Sequence, residues 1–338
     1  RIYARIDADG IVLVSGKGKR KTPIQRLSEW IDQCLAKLKQ YTNDIHICGN
    51  RNSFSKTDHD ATFMHMKEDY MRNGQLKPGY NVNVATCSDF IIGSYISSDR
   101  NDVHTLIPFM EQLRKNYAGR NIGSVVVDSG YESEENYCWF EAHPETELYV
   151  KPSNHEAVKH RKYRTDISRR ENMAYDAQTD TYTCANGKLL QRTQEKKMHT
   201  ASGLEIATSV YECNECDGCP LKEKCIRACG SKKPLEERYK VIYVSKRFAR
   251  QRQAMEAKIS SPKGCLLRVN RSIQAEGNFA YVKQDLDFRR FLLRGNMKVA
   301  AEWLLFSLAL NILHLHHKIQ NRRLGSDLKI PSSFPAGL

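Results

Sequence analysis

The stretch SVVVDSGY, residues 124–131, decides how the fold is read. Three consecutive valines form a short run of β-branched residues, the pattern of a buried strand. The run stops at Asp128, and Ser129 and Gly130 lead on to SEENYCWF (133–140), which reads as a helix capped by Ser133. Beyond that helix, Leu148 to Lys151 reads as another strand. Upstream, YNVNVAT (80–86) alternates as a strand, FIIGSYI (90–96) is its hairpin partner, and Asp102 to Tyr117 is helical with Asp102 placed as N-cap. The order hairpin, helix, strand, helix, strand predicts an α/β domain with a mixed sheet flanked by helices.

The flanks are less regular. Residues 2–14 (IYARIDADGIVLV) read as a hairpin or two short strands about Asp9-Gly10. The spacing of Ile24, Leu27, Ile31, Leu35 and Leu38 predicts an amphipathic connector helix over 24–41. A polar stretch, Asn50 to Leu76, ends at a turn, Lys77-Pro78-Gly79. Residues 153–240 break the α/β pattern with a basic run (Lys159, Arg161, Lys162, Arg164, Arg169, Arg170), short strand-like pieces and clustered cysteines, and read as an insertion. Helical periodicity returns at Phe248 and holds over Ile273–Gln284 and Met297–Ile319. The resulting division is 1–48, an N-terminal hairpin and connector helix that reads as truncated; 49–152, the first part of the core; 153–245, the insertion; 246–325, the C-terminal helices of the core; and 326–338, a tail.

Composition narrows the function. The 338 residues hold 53 Lys and Arg against 39 Asp and Glu, a net charge of +14, and 40% hydrophobic residues exclude global disorder. Between Lys246 and Arg323 there are 16 Lys and Arg against 5 Asp and Glu, so this segment carries +11 of that charge. Such a surface suits a polyanion. Val299 to Leu315 is apolar, but Glu302, Asn311 and His314 interrupt it, and it reads as a buried helix of a soluble protein rather than a membrane span. RIYARIDADG has no secretory pattern, and eleven cysteines are an odd number, which points to a reducing cytoplasm. The chain does not begin with Met and reads as a fragment or a processed product.

Four features could carry chemistry. Asp128 stands at the C-terminal end of a buried strand, where α/β sheets expose functional groups; an Asp there equally serves as a turn former or cap. Glu276 and Lys283 are spaced to share a helix face, as a presented carboxylate beside a cation or as a solvated salt bridge. Cys213, Cys216, Cys219 and Cys225 follow C-x2-C-x2-C-x5-C, which suits a tetrahedral Zn²⁺ site, an iron–sulfur cluster, or unligated buried thiols; Cys184 and Cys229 are spare candidates. Arg268, Arg271, Lys283, Arg289, Arg290 and Arg294 surround Glu276 in sequence, as a phosphodiester substrate requires, or as a solvated basic face. His314, His316 and His317 read as structural.

Taken together, GNRNSFSKTDHDATFMHMKED (49–69), GQLKPGYNV (74–82), VDSGYESEENY (127–137), the cysteine cluster, NRSIQAEGNF (270–279) and FRRFLLRG (288–295) resemble the DDE transposases of bacterial insertion sequences, in the branch with a cysteine-containing insertion. The resemblance covers roughly residues 48–320. It implies an RNase H-like core, phosphodiester chemistry with Mg²⁺ or Mn²⁺, and double-stranded DNA as partner, namely the terminal repeats of a mobile element and its target, bound by a homodimer on paired ends. By that resemblance Asp128 matches the second catalytic aspartate and Glu276 the glutamate, both as metal ligands, with Arg271 and Lys283 flanking Glu276. Arg271 stands five residues before Glu276, where related branches often have four. Lys283, Arg289, Arg290 and Arg294 would contact phosphates. The first aspartate matches Asp9, which lacks the Thr that usually follows Asp-Gly; otherwise that carboxylate lies upstream or is lost. Asp58 and Asp60 lie in a matching motif with a structural or DNA-contact role. The alternatives are an inactive DNA-binding remnant and a nuclease that cuts without strand transfer.

Overall fold

The computed structural model describes all residues except 67–71, 201, 228–232, 326–327 and 330–338. Cys229, part of the motif at 49–69 and nearly all of the expected tail therefore lie outside the described residues. The chain forms two compact units: Arg1–Asn81 with Ile96–Arg100 and Leu292–Val299, and Val82–Tyr95 with Asn101–Phe291 and Ala300–Leu338.

In the first unit the expected N-terminal hairpin is instead a helix, α1 (Ile2–Ala8). A lone hairpin is marginal in water, whereas α1 buries Ile6 and its Tyr3 hydroxyl donates to Asp32 on the next helix. That helix, α2 (Pro23–Cys48), outruns the expected connector. Thr22 caps it by accepting the Gln25 amide at 3.3 Å, and Pro23 occupies the first turn, where its missing N–H costs nothing. β1 (Thr62–His65) pairs antiparallel with β2 (Leu76–Gly79), so Lys77-Pro78-Gly79 is strand rather than turn. A two-stranded ladder has edges on both sides, which makes Pro78 tolerable there.

Asp58 and Asp60 hold the start of the last helix of the chain. Asp60 Oδ2 accepts the Asn296 amide at 2.8 Å, and Asp58 Oδ1 accepts the Gly295 amide at 3.2 Å. The Tyr80 hydroxyl donates to Asp58 Oδ2 at 2.7 Å, and burial together with that carboxylate raises the tyrosine's pKa. Gly295 has φ +87°, which a side chain would strain. Both aspartates thus have structural partners, as anions at a helix N-terminus. Asp60→Ala is expected to lower stability by about 1 kcal/mol, read from urea unfolding.

In the second unit, β3 (Asn81–Cys87) and β4 (Phe90–Ser97) form the expected hairpin, turning through Ser88 and Asp89 at positive φ. The helix after it, α3 (Leu106–Asn116), starts later than expected: Asp102–His104 is a single 3-10 turn, and Thr105 rather than Asp102 stands at the N-cap position of α3. β5 (Ser124–Val127) leads through α4 (Glu134–Glu141) to β6 (Glu147–Val150), which pairs parallel with β5 in a βαβ unit. Ser133 caps α4 by accepting the Asn136 amide at 3.0 Å. The hairpin and the parallel pair lie on one core built from Phe109 and Met110 of α3, Phe140 of α4, Val150 of β6, and Met255 and Ile259 of a later helix. No ladder joins the two pairs among the described residues.

Residues 153–245 hold α5 (Arg161–Arg164), β7 (Ala174–Asp176), β8 (Thr181–Thr183), β9 (Leu189–His199), β10 (Glu205–Cys213), α6 (Lys222–Cys225) and β11 (Lys240–Val244). The strands make an antiparallel sheet in the order β11-β10-β9-β8-β7 with its own small core about Leu190, Tyr211, Ile242 and Val244. Asp180, in the β7–β8 turn, is the hub of that sheet. Its carboxylate receives the hydroxyls of Tyr175 and of fully buried Tyr211, and Lys246 Nζ at 2.8 Å. The Lys246 ammonium first, then the tyrosine hydroxyls, hold its pKa down at about 2. A depressed carboxylate stabilises above its unfolded value near 4 and loses that contribution as pH falls through its folded value. Thermal melts of wild type and Asp180→Asn should therefore differ at pH 5 and converge between about pH 4 and 2.

The chain then closes on helices: α7 (Lys246–Ser260), α8 (Pro262–Arg271), α9 (Gly277–Ala280) and α10 (Asn296–Gln320). The α7–α8 corner is tight, since a Cβ on Gly264 would stand 2.3 Å from the Lys258 carbonyl oxygen. α10 departs from the buried helix expected. Val299, Trp303 and Leu310 are buried, while Leu305, Leu308 and Ile312 are exposed, and by length and composition alone the helix could cross a bilayer.

Candidate active site

Asp128 directly follows β5 and is exposed. Its Oδ1 accepts the Ser129 amide at 2.6 Å, so the carboxylate both caps the 3-10 turn Ser129–Tyr131 and faces solvent. The loop is held from two sides. On one side the Tyr131 hydroxyl donates to Oδ1 of buried Asn83 on β3, which also receives the Thr105 hydroxyl at 2.8 Å. On the other, Glu132 has a side chain only 1% exposed and takes a two-pronged contact from Arg252 of α7, both bonds at 2.8 Å. The Ser153 amide adds a third bond at 2.8 Å. The strand end that presents Asp128 is thereby fastened to β3 and to α7.

Glu276 lies on the helical run that continues from α8. α8 packs on β5. At its end the helix does not continue as α but opens into a π-helical turn, Ser272–Glu276, followed by α9 and a second π-helical turn, Tyr281–Asp285. In a regular α-helix residues five apart point well away from each other, whereas the wider π turn stacks them. Arg271 Nη2 accordingly donates to Glu276 Oε1 at 2.8 Å, and the Ser272 hydroxyl to Oε2 at 2.9 Å. The five-residue spacing that looked irregular in sequence is absorbed by one turn of helix. The Tyr131 hydroxyl pKa is raised by burial and then by the charges of Asp102 and Asp128, against the lowering effect of the Thr105 hydroxyl and of Arg271.

The other expected residues are dispersed. Lys283 lies exposed in the second π-helical turn, Arg289 Nε pairs with Asp287 at 2.6 Å, and Arg290 is exposed. Arg294 belongs to the first unit, where it donates to the Thr57 carbonyl at 3.5 Å. Asp9 stands at the C-terminal end of α1, exposed and 3.5 Å from Arg5, rather than at the end of a strand. Among the described residues no group of three His, Cys, Asp or Glu is placed to hold a metal ion.

Cys213 and Cys216 are buried in the core of the five-stranded sheet, with Cys184 packed against them; the Lys240 amide donates to Cys216 Sγ at 3.4 Å. Burial pushes the Cys213 thiol up to about 11 and raises Cys225 as well. Cys219 and Cys225 are half-buried. Cys184, Cys216 and Cys219 all lie near enough to Cys225 to act on its thiol. His314 is structural as expected, its Nε2 2.8 Å from Oδ1 of buried Asn278.

Two functional positions escaped the sequence reading. Asn83 is an inward-facing polar residue in an alternating strand, and that anomaly was its available signal. Asp102, expected as a helix cap, instead crowds the Asp128 loop, with Oδ2 only 2.9 Å from where a Cβ on Gly130 would be.

The fold and site define a mixed α/β domain that sets an exposed strand-end aspartate and an oriented helix glutamate in a cation-rich segment. Residues 183–316 match the family model described as a transposase DDE domain. The match takes in Glu276, Arg271, Lys283 and the cysteine cluster and begins after Asp128. No curated protein and no solved structure matches the chain.

Proposed function

We propose that the chain cleaves DNA strands and transfers them for a mobile element, with Asp128 and Glu276 as its reacting-centre carboxylates. The observation that carries this reading is the Arg271–Glu276 pair, made across a π-helical turn on the helical run that packs against the strand ending in Asp128. Arg271 orients Glu276, Asn83 and Arg252 fix the Asp128 loop, and the exposed cations Lys283 and Arg290 meet DNA phosphates. Divalent metal ions belong to the chemistry of the family. The position of Asp9 at the end of a helix favours a second reading, in which this chain binds DNA without cutting it.

Binding of labelled duplex DNA carrying element ends, followed by anisotropy across 50–200 mM salt, tests the shared part. Each phosphate contact adds about 0.9 to the slope of log K against log salt, so several contacts give a steep loss of affinity. Salt-insensitive binding overturns both readings. Cleavage in Mn²⁺ or Mg²⁺ with a joined product supports the first, binding without cleavage supports the second, and cleavage without joining identifies a nuclease.

A further inference from the structure

We propose that α2 forms a parallel, in-register two-stranded coiled coil with α2 of a second copy of this chain. Ile24, Leu27, Ile31, Cys34, Leu38, Tyr41 and Ile45 are spaced alternately by three and four residues, the a and d positions of three successive heptads. Their period is 3.5, which winds two helices about each other, rather than the 3.6 of a helix lying on a globular core. Ile24 and Ile31 are half-buried, and beyond them the structure leaves that seam open. Every residue from 32 to 43 is exposed, and Leu38 and Ile45 reach 61% and 71%. α1 covers α2 only at its start, where Gln25 and Ser28 are buried. In proteins most helical stability comes from packing an apolar face rather than from helix propensity.

A second copy is the occupant that the charges suit. Arg26, Lys37 and Lys39 balance Glu29, Asp32 and Asp44, so α2 is neutral within a chain of +14 and two copies meet without repulsion. In a parallel pair each g position faces the e position five residues on in the other helix, which sets Trp30 beside Leu35 and Lys37 beside Thr42. A fully overlapped antiparallel pair would instead set Lys37 against Lys37 and Trp30 against Asp44. A 26-residue helix is about 39 Å long, and such a seam would bury on the order of 1,000 Å² in total, at the lower edge of specific interfaces. In register, Cys34 of one copy faces Cys34 of the other.

Light scattering of the full chain from 1 to 100 μM, with mild diamide oxidation and non-reducing gels, tests this. A mass of two chains is expected, with a disulfide-linked dimer that disappears in Cys34→Ser. Leu38→Lys should shift the dissociation constant upward by at least tenfold, while Lys39→Glu, off the seam, leaves it unchanged. The oxidation readout uses the unaltered protein and so does not depend on a substituted chain folding. A monomer at every concentration overturns the proposal, and so does a dimer that yields no Cys34 link or survives Leu38→Lys undiminished.

Discussion

Glu276→Gln is expected to lower DNA cleavage by about 10³-fold or more while leaving duplex affinity and thermal stability near wild type. The carboxylate is 61% exposed, so its removal empties no core, and the amide keeps the shape of the side chain. What changes is the charge. Two donors, Arg271 Nη2 and the Ser272 hydroxyl, are spent on holding this one surface anion in place, an arrangement with little value to the fold. Arg271→Ala should reduce cleavage less, because the glutamate survives but loses its orientation. Single-turnover assays with both variants check this. If Glu276→Gln cut as well as wild type, the carboxylate would be a surface ion pair and the proposed role of this site would fall.

Glu132→Ala is expected to cost the second unit about 3 kcal/mol. The side chain is almost wholly buried, and its loss takes the carboxylate partner from the partly buried Arg252 guanidinium and the acceptor from the Tyr137 hydroxyl and the Ser153 amide. An uncompensated buried charge is what makes breaking such a pair costly, so Glu132→Leu with Arg252→Met should recover most of the loss. Urea unfolding of the single and double variants measures the difference. The consequence reaches the site, because Glu132 fastens the loop that begins at Asp128. A Glu132→Ala chain that remains folded should therefore cleave more weakly without losing salt-dependent DNA binding.

Much of the second unit was legible in sequence because its signals are local. Asn81–Cys87 and Phe90–Ser97 alternate and turn through Ser88-Asp89, and Ser133 announces α4 three residues before the amide that it accepts. The N-terminal segment failed for the opposite reason. IYARIDADGIVLV carries strand-like residues, but a strand needs a partner, and the available partner surface was a helix on which Ile6 could be buried. Asp102 failed as a cap because a 3-10 turn intervenes before α3, leaving its carboxylate beside the Asp128 loop.

The amino-acid sequence by itself determined the α/β order, the strand that ends in Asp128, the cationic C-terminal segment and the amphipathic helix that became α2. Each of these depends on neighbours within a turn or two of chain. Tertiary structure alone decided that Arg271 meets Glu276, that Asp58 and Asp60 hold the first turn of α10, and that Cys213 and Cys216 pack as core thiols. The physical reason is that these contacts depend on helical pitch and on which surfaces meet. One added residue places Arg271 on the far side of an α-helix or directly beside Glu276 in a π turn, and only the packing around it selects between them.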